Sequence, residues 1–179
     1  STLLDVDTGA AVPFGYGWVA ARVKAAAGTV LADDGEYGLT VWRDAAHIGT
    51  KINAPQSEPW AVSGDGRVAV VFDGAATRPS RIDLEQLHAT PMVMVPFTEP
   101  GEISAALDRR GGRVAFGATR GELIVMTVAD GEVLMRQRVT ERALTQLVWS
   151  PDDRWLAVRD ERGWVSLLDV ATGARLALP

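Results

Sequence analysis

A chain of 179 residues that is 47% hydrophobic and 23% charged is long and apolar enough to bury a core, which argues against a disordered chain. Its net charge of −5 disfavours a nucleic-acid backbone or an anionic membrane as the main partner, because both attract basic surfaces. It has no cysteine, which excludes disulfides and thiolate metal sites, and no run of about 18 apolar residues that would span a bilayer. Residues Ser1 to Asp5 lack the basic head and long apolar stretch of a signal peptide, so none is expected here. A cytoplasmic protein is the expectation. The missing cysteines leave the periplasm open, since both compartments tolerate cysteine-free proteins.

The chain opens on Leu3-Leu4-Asp5-Val6-Asp7-Thr8-Gly9, which returns near the other end as Leu167-Leu168-Asp169-Val170-Ala171-Thr172-Gly173, with six of seven positions alike. Residues 1–14 therefore read as half a repeat unit, a third and a fourth strand. The next unit, 15–52, begins on the aromatic, glycine-rich connection Pro13-Phe14-Gly15-Tyr16-Gly17-Trp18. A degenerate strand–turn–strand figure follows around Gly28, then the turn Asp33-Asp34-Gly35-Glu36 and a strand ending Val41-Trp42-Arg43-Asp44. In the unit 53–96 the figure is clear at Val62-Ser63-Gly64-Asp65-Gly66-Arg67-Val68, before a turn over 73–81 that carries Arg78 and Arg81. Its fourth strand is predicted over Pro91-Met92-Val93-Met94-Val95-Pro96-Phe97, apolar throughout where a strand with one wet face should alternate.

The unit 97–139 repeats the figure at Leu107-Asp108-Arg109-Arg110-Gly111-Gly112-Arg113, and the unit 140–179 at Trp149-Ser150-Pro151-Asp152-Asp153-Arg154-Trp155. Taking Gly28, Gly66, Gly112 and Asp153 as equivalent gives spacings of 38, 46 and 41 residues. Gly and Asp suit tight turns because they tolerate positive φ or bond their own backbone. A period near 40 with four short strands per unit predicts propeller blades, and no segment carries a helical stripe.

The strings Leu147-Val148-Trp149-Ser150-Pro151-Asp152-Asp153-Arg154-Trp155 and Gly163-Trp164-Val165-Ser166-Leu167-Leu168-Asp169-Val170 resemble a bacterial WD repeat. The Gly-His pair that opens many such repeats is missing, so the family's Asp–His–Ser–Trp tetrad cannot be assembled. TolB-like and peptidase-associated propellers are near alternatives. The resemblance implies an all-β propeller of about four and a half blades within a seven- or eight-bladed ring. A further polypeptide, most simply the upstream part of the same gene product, would complete it.

Function follows from the resemblance and not from a motif. The leading expectation is a non-enzymatic protein-interaction scaffold. The propeller portion of a larger enzyme, a serine peptidase or a kinase, is a second, and a TolB-like ligand- or partner-binding propeller a third. No catalytic, cofactor or metal residues are assigned. His47 and His88 have no companion ligands, Ser150 lacks a nucleophile context, and the carboxylates at 33–36 and 160–161 read as solubilising turns. The candidate partner contacts are Phe14, Tyr16 and Trp18 on the aromatic connection, Arg78 and Arg81 on the long turn, and Met92 and Met94.

Overall fold

The structure, a computed structural model, describes residues 2–4, 11–13, 22–26, 29–33, 39–42, 50–52, 57–73, 78–99 and 101–177. Every element among them is a strand. The strands β1 (Thr2–Leu4) and β2 (Ala11–Pro13) form an antiparallel pair within the opening half unit. Four four-stranded antiparallel sheets follow in chain order. Sheet 1 holds β3 (Arg22–Ala26), β4 (Thr29–Asp33), β5 (Leu39–Trp42) and β6 (Thr50–Ile52). Sheet 2 holds β7 (Ser57–Val62), β8 (Val68–Asp73), β9 (Pro79–Asp83) and β10 (His88–Pro91). Sheet 3 holds β11 (Ser104–Leu107), β12 (Arg113–Gly117), β13 (Glu122–Thr127) and β14 (Val133–Arg138). Sheet 4 holds β15 (Leu144–Trp149), β16 (Trp155–Asp160), β17 (Val165–Asp169) and β18 (Arg175–Ala177). Within each sheet the strands lie in sequence order, so short turns suffice to join them.

The first strands β3, β7, β11 and β15 stand side by side, and each sheet packs face to face on the next. Phe72 and Val70 of sheet 2 meet Phe116, Ile124 and Met126 of sheet 3 in one cluster. The other face of sheet 3, with Ala115, Leu123 and Val125, meets Leu156, Val158 and Leu168 of sheet 4 in a second. Val41 and Ile52 join Ala69, Val71 and Ile82 in a third, between sheets 1 and 2. Covering both faces explains the sequence of the middle strands. β13 reads Leu-Ile-Val-Met because successive residues point into two different cores. Each large side chain so buried contributes about 1.5–3 kcal/mol. In sheet 4, β16 alternates instead: Leu156 and Val158 are buried while Arg159 is exposed. That sheet is covered on its leading face, toward sheet 3, and among the described residues no sheet covers its trailing face.

Two expectations are corrected. The turns equivalent to the one at Gly66 are those at Gly111, not Gly112, and at Asp153. All three residues have positive φ, and their N–H groups donate to Ser63, Asp108 and Ser150 respectively. Ser63, Asp108 and Ser150 are thus one repeat position. The Ser63 hydroxyl accepts from the Val68 N–H at 3.0 Å, that of Ser150 from Trp155 at 2.9 Å, and the Asp108 carboxylate from Gly112 at 2.8 Å. A carboxylate and a hydroxyl serve the same turn because both present an acceptor oxygen at that reach.

The second correction concerns the apolar run 91–97. The fourth strand ends at Pro91, and residues 92–97 lie outside any strand. Met92 and Val95 turn inward to the cluster between sheets 2 and 3, with Phe97 packed against it, while Val93 and Met94 face out. The run is apolar because it plugs a gap between sheets, a role that needs no alternation.

Candidate functional site

The turns at the ends of the first strands tie sheet to sheet. The Asp65 N–H donates to the Arg109 carbonyl at 2.8 Å, and the Arg109 N–H to the Asp153 carboxylate at 2.8 Å. Arg113 is held by Asp108 at 3.0 Å, donates to the Asp153 carbonyl at 2.9 Å and stacks on the Trp149 ring, 4.8 Å from its centroid. The Trp149 indole N–H donates to the Ala106 carbonyl at 3.0 Å. Behind these turns a cleft of about 450 Å³ runs across β7, β11 and β15, lined by Ala61, Ala106, Val148 and Trp149 among others. Its walls are mostly apolar side chains and strand backbone, with Arg109 and Ser150 at its edge.

Three carboxylates, Glu122, Asp160 and Asp169, are committed to structure. Burial pushes the Glu122 carboxyl up, but the Thr98 N–H, the Arg136 guanidinium and the Thr98 hydroxyl outweigh it and hold it below its ordinary value. Burial likewise opposes ionisation of Asp160, and the N–H groups of Trp164 and Arg162 and the guanidinium of Arg142 win. Asp169 is lowered in the same way: burial opposes ionisation, and the Thr172 N–H and Arg154 prevail. Low-lying carboxylates saturated by turn N–H groups make poor general bases. Among the described residues no group of three or more His, Cys, Asp or Glu side chains could hold a metal ion.

A second cleft, of about 270 Å³, opens between sheets 3 and 4. Val139, Leu144 and Val158 form its apolar wall, and Arg142, Arg175, Ser166 and Trp164 bring polar and aromatic groups to it. Arg142 pairs with Asp160 at 3.5 Å. Arg175 donates to the Ser166 hydroxyl at 3.0 Å and to the Val139 carbonyl. Trp164 is 66% exposed.

Phe14, Tyr16, Trp18 and His47 lie outside the described residues. Arg78 is exposed, and Arg81 pairs with Asp83 at 3.5 Å. The Met92 N–H bonds the Pro79 carbonyl at 2.9 Å, which brings the start of the apolar run beside β9, the strand that carries Arg81. Met92 is only 8% exposed and so is a core residue, whereas Met94, at 57%, is free to touch a partner. His88 is exposed at the start of β10, with Asp83 opposite in register. The second cleft escaped the sequence reading because its residues come from separate strands. The readable signal was Ser166, which stands where the preceding unit has Ile124.

Compared with known proteins, the chain matches no family model, and no curated sequence is significantly similar to it.

Proposed function

We propose that the chain is a propeller module of the WD-repeat type, one part of a seven- or eight-bladed ring, that holds a protein partner and performs no chemistry. The observation that carries the reading is the open trailing face of sheet 4. By register Val148, Ala157, Leu167 and Leu176 form one row across it. The corresponding row of sheet 3 is Ala106, Ala115, Val125 and Met135, and all four sit in the cluster shared with sheet 4. Val148 and Leu176 are 50% and 53% exposed. An apolar row at a position that is covered in the preceding unit is a surface built to receive another sheet. The commitment of Asp160 and Asp169 to turns, and of Glu122 to Thr98 and Arg136, supports binding over catalysis at these three carboxylates.

The test is light scattering and thermal unfolding of the purified chain. Self-association is expected, relieved by Val148→Asp with Leu176→Asp. A well-folded monomer with a sharp cooperative transition would show that the chain satisfies its own faces, and the reading would be abandoned.

A further inference from the structure

The gaps between sheets 2 and 3 and between sheets 3 and 4 are equivalent, but they are filled differently. The turn bonds set the alignment: the Ala118 N–H donates to the Glu122 carbonyl as the Asp160 N–H does to that of Trp164. Glu122 thus corresponds to Trp164, Ile124 to Ser166 and Phe116 to Val158. Between sheets 2 and 3 the connection from β10 to β11 spans residues 92–103 and folds into the gap. It contributes Met92, Val95 and Phe97, the last edge-on to Phe116 with ring centroids 6.5 Å apart. Directly after Phe97, Thr98 and Glu122 meet Arg136. Between sheets 3 and 4 the connection spans only 139–143. It supplies Val139 where the longer connection supplies Met92, but nothing in place of Val95 or Phe97, and the facing residues are smaller, Val158 for Phe116 and Ser166 for Ile124. The cleft of about 270 Å³ is the volume left over.

We infer that this cleft is a peptide-docking site. Its occupant is an extended segment of a partner protein carrying an aromatic side chain with a carboxylate close behind it. The inference rests on the interaction-module reading and gives the partner a chemistry. The aromatic group takes the place that Phe97 fills one unit earlier, against Val139 and Val158 and beside the exposed Trp164. The carboxylate is set by charge. Arg142 and Arg175 face one acid, Asp160, in the cleft, and a guanidinium carries more N–H donors than their present contacts use. The cleft is smaller than a typical small-molecule site and suits a single anchor side chain.

The chain itself provides the probe, a fluorescein-labelled, C-terminally amidated peptide with the sequence of residues 94–99, Met-Val-Pro-Phe-Thr-Glu. Fluorescence anisotropy against the whole chain should give saturable binding. Ser166→Ile, which restores the filling residue of the preceding unit, should abolish it with thermal unfolding unchanged. Trp164→Ala and Arg142→Gln should each weaken it by about tenfold or more. Replacing Phe by Ala or Glu by Gln in the peptide should do the same. Absence of saturable binding at millimolar peptide, or equal binding by Ser166→Ile, would overturn the inference. So would 3-phenylpropionate binding as tightly as the peptide, which would make the occupant a small aromatic acid. The cleft lies on the leading face of sheet 4 and the self-association test concerns its trailing face. Loss of one result with the other intact therefore rejects one reading alone.

Discussion

Gly121 and Gly163 occupy the same repeat position, with φ of +71° and +88°, and differ in what lies against them. A Cβ built on Gly121 would stand 2.6 Å from the Thr140 carbonyl carbon and closer still to its oxygen. The connection into sheet 4 passes there, and the Val139 N–H bonds the Gly121 carbonyl at 2.8 Å. A Cβ on Gly163 would meet only the Arg159 side chain, at 3.7 Å, because among the described residues no further sheet covers that turn. Alanine in the left-handed region costs about 1–2 kcal/mol at either position. At Gly121 the overlap with backbone adds about 1–3 kcal/mol, since a carbonyl cannot move aside as a side-chain tip can. Gly121→Ala should therefore destabilise by about 2–5 kcal/mol and Gly163→Ala by about 1–2 kcal/mol. Urea unfolding followed by tryptophan fluorescence, with matched m-values, measures both. Equal losses, or a larger loss at Gly163, would refute the claim that the turns differ in their cover.

Stability should also depend on pH with a defined sign. Glu122, Asp160 and Asp169 all ionise more readily in the fold than in the unfolded chain. As pH falls, the unfolded chain takes up protons first, so the stabilisation is complete above about pH 5, begins to fall at about pH 4.5 for Glu122 and at about pH 4 for the two aspartates, and is lost as pH passes the lower folded pKa values. Urea midpoints between pH 7 and 3 should be flat, then fall, and Glu122→Gln should make the fall shallower while costing about 1–3 kcal/mol at neutral pH. Trp149→Phe removes the indole bond to Ala106 and weakens the stack with Arg113, so it should cost about 1–2 kcal/mol in the same assay.

The strand–turn figure was legible in the chain because turn chemistry is local. A hydroxyl or carboxylate at positions 63, 108 and 150, with a residue that tolerates positive φ three places on, declares the hairpin from adjacent residues alone. The same locality produced the slip at Gly111 and Gly112: two neighbouring glycines look alike in a string, and only φ and the bond to Asp108 separate them. The apolar run at 92–97 misled for the opposite reason. Strand and plug have the same composition, and what divides them is the width of the gap between sheets 2 and 3, which no local pattern encodes. Arg142, Ser166 and Arg175 are unremarkable in sequence and converge only when three segments are brought together. The sequence by itself thus determined the repeat, the sheets and their turns. Only the packing of one sheet on the next decided which apolar residues are core, which face of sheet 4 is open, and where a cleft remains. Those depend on volumes summed across distant segments.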